Sequence, residues 1–353
     1  NVAGKRGEVN YSKSGVRPKP ILLDSTLASQ DAAERPFTEA WASYCNTNAR
    51  LRDPKALRAL IRRDLPNELR REVWSHCLGI DVAQTESQVA EIEVDHETDL
   101  LIEADLARTF PNSEEFKEAG GTVSLRRMLR HLAVNDVDLG YCQSMNYLTA
   151  VFFMILLSEG AAIMAVQKLL VRLESRKWYS DGMRQLRADT FVLEDLLKER
   201  LPEVFNAFKI HKFELLFIVS KWFLALFATT LSGETLRRVW DVIISDGIEA
   251  VFRVAFALLQ LRAEEATRAD SIDELAMLFQ GMQSDWSPEV LIRAAYNPSL
   301  LGPITRAELS QRRIAAEKRI SSADARAEIR NVIIWRGGVR PGSALARTAR
   351  ENG

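Results

Sequence analysis

Apolar residues recur at spacings of three and four along most of the chain, which is the period of an α-helix, and alternation with a period of two is almost absent. All-β and α/β architectures are therefore disfavoured, and the sequence predicts an all-α fold. Prolines and glycines stand between the helical patterns, as expected for residues that end helices. The predicted helices include residues 68–77, 145–157, 163–175, 190–198, 215–226, 233–244, 251–263, 272–282 and 305–327.

The apolar patterns also indicate what is buried. Residues 145–157 are apolar almost all round, which predicts a helix at the centre of the fold. The apolar run 215–231 carries Lys221 and is short for a membrane span, so it predicts a buried core helix. An acidic helix is predicted within residues 84–99. Trp74, Trp222 and Trp240 are predicted to lie in the core. The arginines at positions 62, 63, 70 and 71 are predicted to lie on a solvated face, with a partner-binding patch as the alternative.

Composition narrows the function classes. With 353 residues, of which 47% are apolar, the chain can bury a large core. A formal net charge of −1 gives no argument for nucleic acid or an anionic membrane as a partner. Three scattered cysteines and four histidines outside any ligand spacing favour a reducing compartment and supply neither a metal site nor a Ser-His-Asp triad.

These features predict a cytoplasmic protein without a transmembrane segment. The chain does not open with a basic stretch followed by an apolar one, the pattern that would mark a secretory leader. The chain begins at Asn1 rather than at a methionine, which leaves room for flanking sequence.

Motifs for nucleotide binding or covalent catalysis are absent from the sequence. It contains no GxxxxGK[ST], no GxGxxG after a strand, no HExxH and no GxSxG. We therefore expect no cofactor of its own and no hydrolase activity of its own.

Residues 102–111 are predicted to begin as a helix and to stop at Pro111, because proline disfavours the helical conformation of the residue before it. Asp105, Arg108 and Thr109 then share roughly one face, and Arg108 lies in the last turn, where the helix dipole favours a cation. The ordinary interpretation of Arg108 is a solvated side chain paired with Asp105.

Gln143 gives Arg108 a second interpretation. It stands in a turn before the apolar helix 145–157. GTP hydrolysis needs an oriented water, which a glutamine amide can hold, and positive charge at the phosphoryl oxygens, which a guanidinium can supply. Composition alone does not select these two residues.

Two motifs carry a family resemblance. The pattern Ile102-x-x-Asp105-x-x-Arg108-Thr109-Phe110-Pro111 resembles the arginine-finger motif of TBC domains, the GTPase-activating proteins of Rab-type small GTPases. Residues 141–146, Tyr-Cys-Gln-Ser-Met-Asn, are similar to their glutamine-finger motif, usually written YxQG. Further similar blocks occur in family order on both sides of these motifs, within roughly residues 40–310. They lie at positions 69–74, 179–183, 201–202, 220–227 and 234–241.

The resemblance implies a V-shaped, wholly helical fold of two subdomains. The expected division is an extended arm over residues 1–30, an N-terminal subdomain with both fingers over 31–165, a C-terminal subdomain over 166–335 and a loose tail over 336–353.

It also implies roles for individual residues. Arg108 would stabilise the charge that develops on the γ-phosphate, and Gln143 would orient the attacking water. Asp105 would hold the arginine's helix, with Thr109, Tyr141 and Ser144 as further supporting residues. The partner would be a Rab-family GTPase in its GTP-bound state, which itself binds GTP and Mg²⁺ and recruits the chain to membranes in vesicle trafficking.

One departure from the family pattern leaves an alternative open. Ser144 stands where the pattern has glycine, and a backbone that requires positive φ would place serine under strain of roughly 1 kcal/mol. The alternative is a catalytically weak binding module of the same fold, which engages a small GTPase without accelerating it.

Overall fold

The computed structural model describes Trp41 and residues 53–136, 138–280, 286–302 and 304–320. The chain divides into two compact units, residues 1–52 and residues 53–353, and all the helices from Pro54 onward belong to the second. The predicted arm (1–30) and tail (336–353) lie outside the described residues. The V shape and the division into subdomains at 165/166 stay predictions.

The described residues form helices and turns without strands, which confirms the all-α prediction. None of their helices has both the length and the apolar character that crossing a membrane requires. The helices are α1 (Pro54–Arg63), α2 (Asn67–Leu78), α3 (His96–Leu106), α4 (Glu114–Glu118), α5 (Gly121–Asn135), α6 (Met145–Leu156), α7 (Glu159–Arg172), α8 (Arg184–Arg200), α9 (Pro202–Ile210), α10 (Leu216–Leu224), α11 (Gly233–Asp246), α12 (Ile248–Leu261), α13 (Ala263–Arg268), α14 (Ile272–Gln280), α15 (Pro288–Ala295), α16 (Pro298–Leu301) and α17 (Arg306–Arg319).

Local chemistry sets the ends of these helices. The Asp53 side chain accepts hydrogen bonds from the first free backbone amides of α1, and Pro54 occupies the first helical position, where no amide hydrogen is needed. At the C-terminus of α2, Gly79 adopts the left-handed conformation that ends many helices, with a φ of 64°. The Ser158 hydroxyl caps α7 by accepting from the Ala161 amide.

Helix α6 lies at the centre of its neighbours, as the sequence predicts. It packs against α2, α3, α4, α5 and α7. Leu148, Phe152 and Leu156 are completely buried. The helix ends at Leu156, however, and Leu157 beyond it is exposed with a φ of 52°.

An aromatic cluster joins α6 to α2 and α11. The Trp74 ring lies edge-on to Phe152 at 5.8 Å and stacks on Trp240 at 5.9 Å, and Phe152 contacts Trp240 at 5.1 Å. Trp74, Trp222 and Trp240 are fully buried, which confirms their assignment to the core. Residues 216–224 form the predicted buried helix, α10, and burial lowers the pKa of Lys221.

The prediction of an acidic helix within residues 84–99 is wrong for most of that segment. Helix α3 begins only at His96, and the preceding residues form a non-helical connection. Their backbone is held by α7 instead, because the carbonyl oxygens of Glu86 and Ser87 accept from the amides of Gly160 and Glu159. A Cβ atom at Gly160 would lie 3.0 Å from the Glu86 backbone, so this close approach depends on glycine.

The prediction that Arg70 lies on a solvated face is also wrong, since Arg70 is 1% exposed. Its guanidinium donates to both carboxylate oxygens of Asp241 at 3.0 and 3.1 Å and to Glu234 at 2.7 Å. Asp241 also accepts from the Trp74 indole at 2.7 Å and from Arg238 at 2.8 Å. The buried Asp241 carboxylate therefore ties α2 to α11, the two helices that hold the 69–74 and 234–241 blocks.

We predict that Asp241→Asn lowers the free energy of unfolding by about 3–5 kcal/mol, because the substitution leaves two buried guanidinium groups without their shared carboxylate. Urea denaturation measures this loss. The matched control is Asp195→Asn, since Asp195 pairs with Arg319 at the surface and its loss should change stability by at most about 1 kcal/mol. Equal effects of the two substitutions would contradict the structural role of Asp241.

Candidate functional site

The first segment of the site is the turn that follows α3. The helix starts at His96 because Asp95 accepts a hydrogen bond from the Thr98 amide at 3.0 Å, and it ends at Leu106. Arg108 thus lies just past the helix rather than in its last turn, which corrects the sequence prediction. The Thr109 hydroxyl donates to the Asp105 carbonyl at 2.6 Å, and Phe110 takes a φ of 44°, so the chain leaves the helical path before Pro111.

Asp105 is the buried anchor of this turn. Its side chain is 4% exposed, and its carboxylate pairs with Arg108 and accepts a hydrogen bond of 2.5 Å from the Tyr141 hydroxyl. Burial raises the pKa of Asp105, and the Tyr141 hydrogen bond and the Arg108 charge oppose that rise. Burial and the neighbouring Asp105 also raise the pKa of Tyr141, which keeps its hydroxyl a donor.

The second segment of the site is the connection that leads into α6. Ser144 immediately precedes Met145, the first residue of α6, and has a φ of 85° and a ψ of −15°. This position does require the left-handed conformation, which glycine adopts most readily. Serine adopts it here, and its side chain does not cap the helix.

Arg108 and Gln143 lie together although 34 residues separate them in sequence. The Gln143 side-chain amide is taken in the orientation that gives both its oxygen and its nitrogen hydrogen-bond partners. In that orientation its carbonyl oxygen accepts from the Arg108 guanidinium, with one contact of 3.0 Å to Nη1. Both residues are exposed, and 45% of the Arg108 side chain is accessible. The predicted catalytic pair thus forms one surface site.

Two further residues position this site and were missed by the sequence analysis. The buried Asn146 donates from its amide to the Thr109 hydroxyl at 2.7 Å. The Tyr147 hydroxyl donates to the Arg108 carbonyl at 3.2 Å, and its ring packs edge-on against Phe110 at 5.6 Å. The available signal was an asparagine inside an otherwise apolar helix, because a buried amide needs a partner.

The chemistry open to this arrangement is electrostatic. A guanidinium presents a planar set of donors suited to phosphoryl oxygens, and an amide can both donate to and accept from a water molecule. Among the described residues there is no group of three or more His, Cys, Asp and Glu side chains placed to hold a metal ion. Neither Arg108 nor Gln143 lines the cavity of about 390 Å³ beside α8 and α9. The site is an exposed surface whose donors and acceptors are open to another molecule.

Comparisons with known proteins agree with the resemblance seen in the motifs. The family model described as the Rab-GTPase-TBC domain matches residues 67–267. TBC1 domain family member 2A of Bos taurus is 29% identical over 306 residues, which are 84% of this chain and 32% of that protein. Growth hormone-regulated TBC protein 6 of Caenorhabditis elegans is 33% identical over 226 residues, 64% of this chain and 66% of that protein.

Solved structures show the same fold at low sequence identity. The Chlamydomonas flagellar RabGAP TBC domain superposes with a TM-score of 0.62 at 22% identity, covering 77% of this chain and 94% of that one. The YPT/RAB-GAP domain of Gyp1p gives a TM-score of 0.62 at 18% identity, covering 74% and 97%. The chain spans about a third of the length of the TBC1 relatives it matches.

We predict that Ser144→Gly raises the free energy of unfolding by about 0.5 kcal/mol. Relief of the left-handed strain, roughly 1–2 kcal/mol, outweighs the added freedom of glycine in the unfolded chain, roughly 0.5–1 kcal/mol. Ser144→Val should lower it by at least about 1 kcal/mol, because a β-branched side chain is disfavoured at positive φ. Urea denaturation distinguishes the two, and equal stability of both variants would contradict the conformation at Ser144.

We predict that Tyr141→Phe lowers the free energy of unfolding by about 1–3 kcal/mol at pH 7 and by less at acid pH. The raised pKa of Asp105 means that its stabilising contribution is full at acid pH and is lost as pH rises through the folded pKa. Removing the Tyr141 hydroxyl raises that pKa further, so more stability is lost when Asp105 ionises. Urea denaturation between roughly pH 4 and pH 8 measures the trend.

Tyr147→Phe is the matched control for Tyr141→Phe. It removes a hydroxyl that donates to a neutral carbonyl, so its effect of about 0.5–1.5 kcal/mol should not vary with pH over the same range. A pH-independent effect of Tyr141→Phe would show that its hydroxyl does not act on the Asp105 carboxylate.

Proposed function

Because the chain belongs to the Rab-GTPase-TBC domain family, we propose that it is a GTPase-activating protein for Rab-family small GTPases and supplies Arg108 and Gln143 to the GTP-bound partner. The observation that carries the proposal is the meeting of these two exposed side chains, from two separate segments, in one surface site. The partner holds GTP and Mg²⁺, and this chain contributes side chains only. Recruitment to membranes through the Rab, and with it a part in vesicle trafficking, belongs to the same proposal.

Arg108 acts on the charge of the transferred phosphoryl group. As the bond to the leaving oxygen loosens, its guanidinium donates to phosphoryl oxygens and stabilises their developing charge. An arginine supplied in trans accelerates GTP hydrolysis by roughly 10³–10⁵ in other GTPase systems, which corresponds to about 4–7 kcal/mol of transition-state stabilisation.

Gln143 orients the attacking water in the proposed reaction. Its amide oxygen accepts a hydrogen bond from the water and its amide nitrogen donates to a neighbouring oxygen, so the nucleophile is held in line with the breaking bond. The contact with Arg108 keeps the two side chains adjacent before a partner arrives.

Asp105 and Tyr141 support the transfer of Arg108 from its resting contact to the phosphate. The Asp105 carboxylate is buried, so losing Arg108 entirely would leave an unpaired charge. Tyr141 keeps one of its oxygens hydrogen-bonded, and a guanidinium has enough donors to hold Asp105 and a phosphoryl oxygen together. Asp105 and Tyr141 therefore hold Arg108 in position and leave some of its donors free to reach the phosphate.

We predict that Arg108→Ala and Gln143→Ala each lower the stimulated kcat by at least about 100-fold, with little change in KM, because both act in the transition state. Arg108→Lys should not restore activity, since an ammonium lacks the planar set of donors. The assay is GTP hydrolysis by a panel of purified GTP-loaded Rabs with and without the protein.

Arg319→Ala is the matched control for Arg108→Ala. Its side chain is also 45% exposed and also pairs with an aspartate, Asp195, so it should retain full stimulation. A stimulated rate that survives Arg108→Ala would overturn the role of that residue. Binding of a GTP-loaded Rab without added turnover by the wild type would indicate the binding module instead.

A further inference from the structure

Beyond the first turn, which carries the exposed Glu97, the solvent-facing side of α3 is apolar. Leu100 is 58% exposed, Leu101 is 56% exposed, and Ala104 and Ala107 are exposed beside them. At helical spacing these four residues form one continuous surface, called here the outer face of α3. The side chains of the opposite side, Ile102, Asp105 and Leu106, are buried against the rest of the fold.

Of the charged residues of α3, Asp99 and Glu103 do not cover this outer face, and Glu97 lies exposed at its N-terminal end. Asp99 accepts from Arg130 of α5 at 2.8 Å, and Glu103 pairs with Arg126 of α5 at 2.5 Å. Both carboxylates therefore point toward α5 and are engaged there. They form a polar border along one flank and leave the four apolar residues to the solvent.

An apolar outer face is unusual for a surface helix. Such a helix normally carries polar residues toward water and apolar residues toward the core, and a helix that is apolar on both sides is normally covered on both. A group of exposed apolar side chains with a polar rim marks a place where another molecule binds.

The position of Arg108 identifies the occupant. Leu101 precedes Arg108 by seven residues, which is about 10 Å at 1.5 Å per residue of helix. A standard protein interface covers about 800 Å² on each partner, equivalent to a circle of roughly 16 Å radius. One protein that brings a nucleotide to Arg108 is therefore large enough to cover the outer face of α3 as well.

We propose that the outer face of α3 is a docking surface for the GTP-bound GTPase, and that it meets an apolar patch next to the partner's nucleotide site. This inference rests on the proposed function and adds the surface that sets affinity. Arg108 and Gln143 act on the transition state, whereas Leu100 and Leu101 contribute to binding that is the same before and during the reaction. Their loss should therefore appear in KM and not in kcat.

The test replaces both leucines by glutamine in the full chain. Leu100→Gln and Leu101→Gln keep side-chain length and helix propensity while removing apolar surface. The Rab that wild type stimulates most in the panel is used as substrate. The double variant should raise KM by at least about tenfold, as expected for losing the burial of two half-exposed leucines, with kcat within about twofold of wild type.

Leu157→Gln is the matched control. Leu157 is 57% exposed, and it lies at the far end of α6, about 18–20 Å along the helix from Ser144. This variant should leave both KM and kcat unchanged. Calorimetric titration with the same Rab, loaded with a non-hydrolysable GTP analogue, gives affinity independently of turnover. It should show weaker binding by the double variant and unchanged binding by Leu157→Gln.

Three outcomes would overturn the proposal. An unchanged KM and affinity in the double variant, with stimulation intact, would refute the docking surface and leave the proposed function standing. A dimer of the wild type that dissociates in the double variant, with KM unchanged, would assign the face to a second copy of this chain. Neither stimulation nor binding of any GTP-loaded Rab by the wild type would refute the proposed function and this inference with it.

Discussion

Buried carboxylates join helices that are far apart in sequence, and the arrangement of the fold depends on them. Most backbone hydrogen bonds in an all-helical protein are local, so side chains largely fix how helices meet. Asp241 ties α11 to α2 through Arg70, Asp189 ties α8 to α17 through Arg313, and Glu159 ties α7 to α5 through Arg127. An unpaired charge in these positions would be strongly unfavourable, so each pair favours one packing over others.

Asp105 follows the same pattern with one difference, the exposure of its partner arginine. The arginines of the other three pairs are almost completely buried, with 1%, 9% and 10% of their side chains exposed. Arg108 is 45% exposed over a carboxylate that is 4% exposed. The buried acid holds one side of the guanidinium, while the rest of the Arg108 side chain is accessible to solvent. In the proposed function, this kind of pair aims one cation at the partner.

How much the sequence could predict depended on the range of the interactions involved. Helical periodicity is local, so the all-α fold and the buried α6 were predictable, and the ordered motifs indicated the family. Arg70 was misassigned because its partner Asp241 lies 171 residues away, and an arginine in a basic cluster looks solvated until that partner is known. Residues 86–87 were misassigned because α7 satisfies their backbone. Asn146 and Tyr147 were missed because their partners, Thr109 and the Arg108 carbonyl, belong to a turn whose geometry the sequence does not specify.

The hydrogen bonds from α6 to the turn at Arg108 affect how fast a partner can associate productively. Asn146 and Tyr147 fix the turn from a helix that itself packs against five other helices, so the backbone of the turn has little conformational freedom left to lose. A flexible loop would have to find its bound shape after each collision, and that search would slow productive association. Here the ordering is completed when the chain folds. A visiting molecule meets a surface whose backbone is already set, and only the ends of side chains must rearrange during its stay.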